Sequence, residues 1–467
     1  MDSSAGLGSM ASALCWGYCR AGGGNSPRGS YEYSKGLVMH SRKERPETPR
    51  RRPVPGAAGA DRLAEVLSRL AVRHRVPGAQ VAVWSGGETV MVQTGSAGGG
   101  RAMREDTRVP VGSVTKAATA TLAMMLVADG DLDLDQPAGE ILGDARIPGA
   151  LTLRRLLSHT SGLPSDPADT AGSCRKEVRS AESVCEPGTA FSYSNLGYAL
   201  AGSLIEEVTG MGWREAVESI LLRPLEIEPV YVDSPGIATG HARDGERPLE
   251  QLLPPMLDPA GALALSARDL VALGRVHLGK PGLLDVVTAS DLHRPVPGAE
   301  PFGLADGWGL GLACFGDEDS RWLGHDGTAD GTSCHLRIDQ SGACVLALTA
   351  NGAGGADLWL DLVEALPEFD LPRRRLLAAD SVAVPMPDGD FGSYRNGAIG
   401  YTVRPDAAGG GCLDVDGEIF PELVRYAGGA FTVRDPATGR ATPCGRFRGE
   451  PGAAAAVEIG GRLARRC

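Results

Sequence analysis

The stretch Pro110–Met125 reads PVGSVTKAATATLAMM and gives the clearest indication of the architecture. It places Ser113 at the start of a predicted helix that runs to Asp129, with Lys116 one turn later on the same face. The residues after Lys116 are apolar nearly all round, which predicts a buried helix. Burial makes an amine lose its proton more easily, and a seryl hydroxyl needs such a base within reach to act as a nucleophile. The spacing therefore predicts a reactive serine with a lysine partner.

Lysine is scarce in this chain, since only five of its 46 basic residues are lysines. A buried lysine is destabilising, so Lys116 in an apolar helix calls for a chemical reason. The same spacing recurs at Ser173 and Lys176, in a polar loop bounded by glycine and proline. No apolar helix follows this second copy, so we predict that Lys176 is a solvated surface charge.

A second candidate motif is Tyr193-Ser194-Asn195. A tyrosine near a protonated lysine loses its phenolic proton more readily, so Tyr193 is a candidate general base. The Asn195 amide is predicted to hold the lysine and to orient a substrate carbonyl. A related pattern, Tyr394-Arg395-Asn396, is predicted to be a surface turn.

The third candidate is Gly324-His325-Asp326-Gly327-Thr328, in which glycines flank a histidine on a strand. Glycine lets a backbone lie close to a ligand, and we expect the His325 imidazole to donate a hydrogen bond. The backbone N–H groups of Thr328 and Ser113 are predicted to form an oxyanion hole, helped by the free N–H groups at the helix start.

The 467 residues divide into four predicted segments. Residues 1–58 hold glycine, serine, proline and arginine without an apolar period, which predicts a disordered tail. Residues 59–368 show strands at both ends with helices between them, an α+β layout with one sheet built from distant parts of the chain. Residues 369–389 form a linker, and residues 390–467 show the short alternating strands of a small antiparallel β domain.

Hydrophobic periodicity and capping residues predict the elements of the larger segment. The first helix is predicted to be capped by Asp61, and a hairpin follows that turns at Ser85-Gly86-Gly87. Ser266 is predicted to cap a later helix, with Asp269 in its first turn. Further predictions are helices at 153–159, 197–208, 213–222 and 358–366 and strands at 308–315, 335–338 and 344–349.

Composition argues against several functions. The formal net charge is −12, whereas broad nucleic-acid binding needs a basic surface. We find no apolar run long enough to cross a membrane and no basic-then-apolar leader, so a cytoplasmic protein is expected. The cysteines form no CxxC pair and the histidines no HExxH pair, so neither a metal nor a cofactor is predicted.

Ser-x-x-Lys, Tyr-x-Asn and His-x-Gly occur in this order within one predicted domain. The chain thereby resembles the penicillin-recognising serine hydrolases, which include class C β-lactamases, DD-peptidases, D-aminopeptidases and related esterases. Leu156–Leu163 resembles a further motif of that superfamily, in which His159 is predicted to hold a turn. The resemblance implies a β-lactamase/transpeptidase-like sheet flanked by helices. The catalytic residues that it implies are Ser113 as nucleophile, Lys116 as its proton partner, Tyr193 as base, and Asn195 and His325 beside them.

The layout is similar in more detail to the penicillin-binding-protein-type thioesterases of nonribosomal peptide pathways. The stretches that carry this likeness are Pro110–Lys116, Leu122–Gly130, Ser219–Pro229 and His325–Cys334. That family joins its catalytic domain to a small lipocalin-like β domain. The likeness implies an enzyme that takes a peptidyl chain from a carrier protein's thioester onto Ser113. The peptide's own N-terminal amine then closes it into a macrolactam, and the residue joined to the serine is typically D-configured.

The β domain would then form a wall over the active site. Its last segment, Gly461–Cys467, carries three arginines, of which Arg462 is predicted to bind a substrate carboxylate or carbonyl. The alternative for these arginines is a solvated basic tail.

Three functions remain open at this point. The first is a peptide cyclase, and the second is a hydrolase of the same fold, namely a D-specific peptidase, an esterase or a weak β-lactamase. Both form the same acyl-serine and differ in whether an amine or water resolves it. The third is a binding or scaffold protein that kept the fold. Class C β-lactamases have Lys-Thr-Gly where this chain has His325-Asp326-Gly327, which favours an esterase, peptidase or acyl transferase.

Overall fold

The computed structural model describes residues 57–316, 321–341, 344–372, 377, 381–406, 410–436 and 439–467. The predicted tail lies outside the described part as far as residue 56, and residues 57 and 58 belong to the first helix. The helices are α1 (Ala57–Arg73), α2 (Thr115–Asp129), α3 (Ala138–Ile141), α4 (Leu153–Leu157), α5 (Cys174–Ser180), α6 (Asn195–Thr209), α7 (Trp213–Ala216), α8 (Asp258–Gly261), α9 (Ala267–Val276), α10 (Val286–His293) and α11 (Gly355–Ala365).

The strands fall into two groups along the chain. The first group is β1 (Gly78–Ser85), β2 (Glu88–Gly98), β3 (Arg101–Ala102), β4 (Val109–Pro110), β5 (Gly240–His241), β6 (Pro248–Leu249), β7 (Ala264–Leu265), β8 (Gly307–Trp308), β9 (Ala313–Phe315), β10 (Trp322–Ala329), β11 (Thr332–Asp339) and β12 (Cys344–Ala350). The second group is β13 (Gly392–Asn396), β14 (Ile399–Pro405), β15 (Gly411–Val415), β16 (Glu418–Arg425), β17 (Ala430–Arg434), β18 (Ala441–Glu450), β19 (Ala453–Ile459) and β20 (Arg462–Arg466).

Eight strands form one antiparallel sheet in the order β3-β2-β1-β12-β11-β10-β9-β8. Strand β1 pairs with β2 in the predicted hairpin and with β12 on its other side, where Ala79 lies opposite Ala350. Every residue of β12 is buried, because helices cover both faces of the sheet. Val345 joins the core beneath α9, while its neighbour Leu346 joins the core beneath α1 and α11. The α+β prediction, with strands drawn from distant parts of the chain, is confirmed.

A helical region packs beside the sheet, with α2 at its centre. Helix α2 contacts α6 and α8, and eleven of its fifteen residues are buried. It ends at Gly130, whose φ of +84° closes the last turn in the left-handed conformation. The predicted buried helix behind Ser113 is therefore present.

Strands β13–β20 close into an antiparallel barrel. Aliphatic and aromatic side chains such as Tyr401 and Phe447 fill its interior. The expectation of a small C-terminal antiparallel β domain is thus confirmed. The predicted surface turn Tyr394-Arg395-Asn396 is wrong, because these residues lie in β13, where strand alternation buries both Tyr394 and Asn396.

Several local predictions are confirmed in position. The Ser266 side chain caps α9 and Asp269 reciprocates, which forms a capping box. Helices α6 and α11 coincide with the predictions at 197–208 and 358–366 to within a few residues at their ends.

Other elements differ from the prediction for local reasons. Helix α1 begins by Ala57, so Asp61 is an interior residue and not a cap. The helix predicted at 153–159 ends at Leu157, before His159 takes a left-handed φ of +57°. The stretch predicted as helix at 213–222 divides into α7 and a π-helical segment, Val217–Leu222.

The strand predicted at 308–315 is broken into β8 and β9. At Gly311, where φ is +94°, the chain bends against α2, and a Cβ there would lie 2.1 Å from the Cβ of Ala120. Only glycine fits this approach, which interrupts the strand. Within the described ranges, no helix is long and apolar enough to cross a membrane, and no group of three or more His, Cys, Asp or Glu side chains could hold a metal ion.

Candidate active site

Ser113 lies in a short 3₁₀ turn, Gly112–Val114, that leads directly into α2. This turn rests on β10 so closely that a Cβ on Gly112 would lie 2.2 Å from the Thr328 carbonyl oxygen. Gly112 also has a φ of +50°, which glycine adopts without a Cβ clash. The glycine therefore lets the candidate nucleophile sit against the strand that carries His325.

Lys116 is completely buried one turn into this segment. Its Nζ donates to the Ala260 carbonyl at 2.9 Å and lies 3.2 Å from Ser113 Oγ. Burial holds the pKa of Lys116 well below its usual range; Asp166 opposes this shift and Arg462 adds to it. An uncharged amine next to a seryl hydroxyl can accept the proton of that hydroxyl.

Tyr193 covers the lysine, with its ring centroid 4.9 Å from Lys116 Nζ. The side chain is buried, and burial raises the pKa of the phenol, while Ser113 and Arg462 partly counteract the rise. Tyr193 therefore keeps its proton in the resting enzyme. The sequence predicts Tyr193 as the general base, whereas the directions of the two pKa shifts favour Lys116 as the first acceptor of the serine proton.

His325 points into the same place from β10 and is fully buried. Its Nδ1 lies 2.6 Å from the Asp326 carbonyl oxygen, which only accepts, so Nδ1 carries the proton. Burial, helped by the nearby Lys116, lowers the pKa of His325 to about 3. The imidazole is therefore neutral with a bare Nε2, and that nitrogen acts as an acceptor where we expected a donor.

Thr328 supplies a backbone N–H on the side of β10 that faces Ser113. The next residue, Ala329, donates its N–H to Thr332 Oγ1 on β11. Successive N–H groups of a strand point to opposite edges, so that of Thr328 points away from β11 towards the 3₁₀ turn. This is the geometry expected for an oxyanion hole formed with the N–H of Ser113.

Asn195 begins α6, but its amide has another partner than the one predicted. Its Nδ2 donates to Asp166 Oδ1 at 2.7 Å, and its backbone N–H donates to the Ser165 carbonyl at 2.6 Å. The hydrogen bonds of the Lys116 amine go to Ser113 and Ala260 instead. Asn195 therefore orients a carboxylate that acts on the lysine through its charge. Sequence reasoning missed Asp166, because nothing in its local pattern separates it from a surface loop residue.

Arg462 reaches this site from the barrel, at the start of β20. Its Nε donates to Ser165 Oγ at 2.8 Å, and its guanidinium carbon lies 5.4 Å from the centroid of the Tyr193 ring. The alternative of a solvated basic tail is wrong, because all three arginines lie in β20 and even the exposed Arg466 donates to the Gly389 and Phe391 carbonyls.

His159 packs against Tyr193, with the ring centroids 4.2 Å apart. Its Nδ1 accepts the Ser194 N–H at 3.0 Å, and its carbonyl accepts the Ser192 N–H at 2.8 Å, in keeping with a role in holding the turn. Trp308, which the sequence analysis missed, contacts the His325 ring at a centroid distance of 5.4 Å. The only feature of the sequence that could have indicated a role for Trp308 is its position between two glycines.

Four polar atoms converge here without a hydrogen-bond partner among the residues that the structure describes. They are Tyr193 Oη, His159 Nε2, Trp308 Nε1 and His325 Nε2, and all four are buried. Buried polar groups are nearly always paired, so these four atoms are available to bind a substrate. Three are able to donate and His325 Nε2 accepts, which suits a substrate with both carbonyl and N–H groups.

A serine against a strand, a buried lysine with a lowered pKa beside it and a strand N–H directed towards the serine form the arrangement of a serine acyl-transfer enzyme of the β-lactamase/transpeptidase-like superfamily. Residues 60–365 match the model of the family described as Beta-lactamase. The chain belongs to this family.

Individual relatives refine the comparison. Penicillin-binding protein 4 of Amycolatopsis lactamdurans is 31% identical over 334 residues, which are 65% of this chain and 88% of the relative. The crystal structure of SurE is 38% identical, covers 88% of this chain and all of SurE, and has a TM-score of 0.77. The D-amino acid amidase of Ochrobactrum anthropi SV3, solved with L-phenylalanine amide, is 26% identical over 66% of this chain and 98% of the amidase, with a TM-score of 0.56.

Proposed function

We propose that this protein releases a peptidyl thioester as a head-to-tail macrolactam through an acyl-Ser113 intermediate. The observation that carries the proposal is the position of Arg462, a barrel residue, beside the Tyr193 ring. A barrel that supplies a side chain here is a wall of the site, as expected for the thioesterases that the sequence resembles. The likeness to SurE supports this, because it extends well beyond residues 60–365.

Acylation begins when Ser113 Oγ attacks the thioester carbonyl carbon. The Ser113 proton goes to Lys116 Nζ, which lies 3.2 Å away and which loses its own proton more readily because burial lowers its pKa. The Ser113 and Thr328 N–H groups stabilise the oxyanion. When the carbon–sulfur bond breaks, Tyr193 passes a proton from Lys116 to the leaving thiolate, and the peptidyl chain remains on Ser113 as an ester.

The ester is then resolved by the N-terminal amine of the same peptide. As the new carbon–nitrogen bond forms, the nitrogen becomes acidic and gives a proton to Lys116 Nζ, which is a free base again once the thiol has left, while the bare Nε2 of His325 accepts a hydrogen bond from the amine. Tyr193 passes this proton on to Ser113 Oγ, which leaves as the lactam forms. No water is consumed, and the burial of Lys116, Tyr193 and His325 helps to keep water out of the reaction.

The proposal includes a D-configured residue at the acyl end. SurE has been solved with D-Leu, and that structure is 38% identical to this chain with a TM-score of 0.76. The proposed partner is a peptidyl carrier protein in the cytoplasm, and neither nucleic acid, a membrane nor a cofactor takes part. Arg462 is proposed to bind a carboxylate or carbonyl of the peptide.

A hydrolase is the second candidate, with water in place of the amine. The similarity to the D-amino acid amidase favours this reading, whereas the absence of the Lys-Thr-Gly of class C β-lactamases at His325–Gly327 counts only against a β-lactamase. The substrates would then be D-peptides or esters.

Mass spectrometry of the products distinguishes the two. Linear peptidyl thioester mimics with a D- or an L-residue at the acyl end are incubated with the wild-type protein and with Ser113→Ala. A product that has lost the thiol without gaining water, formed from the D-series and absent with Ser113→Ala, supports the cyclase. A product that has gained water supports the hydrolase. Cyclisation that persists with Ser113→Ala would contradict the mechanism.

A further inference from the structure

The side chain of Asn396 joins the barrel to the catalytic region. It lies at the end of β13 and is fully buried. Its Oδ1 accepts the backbone N–H of Ser165 at 2.7 Å. Its Nδ2 donates to Ser192 Oγ at 3.1 Å and to the Leu463 carbonyl at 2.9 Å. One amide thus uses both of its donor hydrogens and its acceptor to connect three separate segments.

Each segment that Asn396 binds carries a group of the candidate site at the adjacent position. The adjacent residues are Asp166 after Ser165, Tyr193 after Ser192, and Arg462 before Leu463. No side chain of the site touches the amide in these hydrogen bonds. Asn396 therefore acts on the site through the backbone that holds it.

The same contact surface contains further hydrogen bonds between the barrel and the catalytic region. The Tyr193 N–H donates to the Gly461 carbonyl at 2.9 Å. Arg462 Nε donates to Ser165 Oγ at 2.8 Å. The Tyr193 backbone and the Arg462 guanidinium are therefore both hydrogen-bonded to segments that Asn396 also binds.

We propose that Asn396 is a positioning residue that sets Tyr193 and Arg462 relative to each other, so that the barrel completes the catalytic site. The proposal rests on an acyl-Ser113 enzyme and is independent of whether an amine or water resolves the ester. Through this buried amide the barrel contributes to the geometry of the site, which a merely appended domain would not do.

An apolar replacement would disturb the site in a defined way. Without the amide, the Ser165 N–H and the Leu463 carbonyl lose buried partners, and the segments that carry them shift to find others. Displacements of about 1 Å can lower a rate by roughly 10²-fold. Two of the charges that act on Lys116 and Tyr193 would move as well, because Asp166 and Arg462 directly adjoin residues that Asn396 binds.

The acidic limb of the acylation profile reports on these two charges. Asp166 raises the pKa of Lys116 and Arg462 lowers it, so a change in their distances from the amine changes the pH at which the lysine becomes a free base. The acidic limb then shifts. A residue that merely stabilises the fold would leave this limb where it is.

The experiment compares Asn396→Leu, which keeps the side-chain volume, with the wild type and with Asp390→Asn. Asp390 is a matched control because it is fully buried and its described partners, Arg425 and the N–H groups of Gly452 and Ala454, belong to the barrel. Acylation of Ser113 by a small activated ester is followed as a function of pH, with unfolding curves for each variant. Such an ester requires neither a carrier protein nor cyclisation.

We expect Asn396→Leu to acylate roughly 10- to 100-fold more slowly and its acidic limb to shift relative to that of the wild type. Asp390→Asn should lose stability with an unchanged limb. A folded Asn396→Leu with the wild-type rate and limb would overturn the proposal. If Asn396→Leu does not fold, Ser192→Ala removes one of its acceptors, and an unchanged limb there has the same consequence. Failure of the wild type itself to form acyl-Ser113 would instead contradict the proposed mechanism.

Discussion

The chain contains two Ser-x-x-Lys sequences that fold into different surroundings. At Ser113 the lysine is completely buried and lies 3.2 Å from the serine oxygen. At Ser173 the serine side chain caps α5 by accepting the Lys176 N–H, and the Lys176 side chain is 64% exposed and pairs with Asp169 at 3.4 Å. The first copy has the short distance and the burial that proton transfer needs, whereas the second is an ordinary helix start with a surface ion pair.

The difference shows that burial, and not spacing, makes this motif reactive. Both lysines lie one turn after a serine, but only Lys116 has lost the water that would keep it charged. What removes the water is α2 with the helices packed around it, together with Tyr193. The second copy was correctly predicted to be a solvated charge, because no apolar helix follows it.

The largest expected effect is the difference in acylation between variants of the two serines. Ser113→Ala should abolish acylation, because no other oxygen is in place to attack. Ser173→Ala should leave activity unchanged and cost about 1 kcal/mol of stability through the lost N-cap. Intact-protein mass after incubation with a thioester mimic, together with urea unfolding curves, measures both. An acylated Ser113→Ala protein would show that the nucleophile has been misassigned.

The second-largest expected effect is the difference in kcat/KM between variants of the two lysines. Lys116→Met should lower kcat/KM by roughly 10²- to 10⁴-fold, the usual contribution of a general base. Lys176→Met should retain the wild-type kcat/KM, because its amine is solvated and distant from the serine that reacts. Steady-state kinetics on one activated ester is sufficient. If both variants react alike, the buried lysine is not the proton acceptor.

The smallest effect appears in the pH dependence of stability. Burial lowers the folded-state pKa of Lys116 below that of the unfolded chain. Between these two values the unfolded state binds more protons, so the free energy of unfolding rises with pH, by at most about 1.4 kcal/mol per pH unit. Lys116→Met should remove this contribution and Lys176→Met should keep it.

Urea unfolding of the three proteins at several values from neutral pH to about pH 10 tests this prediction. The informative quantity is the slope of the difference between the wild type and each variant, because other titrating groups cancel. Equal slopes for Lys116→Met and the wild type would mean that Lys116 is charged in the folded protein.

The reactive centre was predictable because its main parts are local. Ser113, Lys116 and the apolar helix behind them occupy one short stretch, and the Ser266 cap with Asp269 is another local pattern. The order of the three motifs then placed Tyr193 and His325 in the same site. The sequence therefore predicts best those features that a few neighbouring residues determine.

The parts that sequence reasoning missed depend on contacts between distant segments. Asn396 pairs with Ser165, which lies 231 positions away, and no local pattern distinguishes this residue from a surface turn. The Asn195 amide meets Asp166 for the same reason. Similarly, Gly311 meets α2 at Ala120, and this approach breaks a stretch that has the composition of a continuous strand.

The pairing of β1 with β12 has a consequence for how the protein is made. Ala79 leaves the ribosome long before Ala350, its partner in the sheet, so the sheet cannot be completed until most of the chain has been synthesised. Arg462 and Leu463 follow later still. A nascent chain therefore carries Ser113 well before it has a finished candidate site, which is complete only once β20 has been translated.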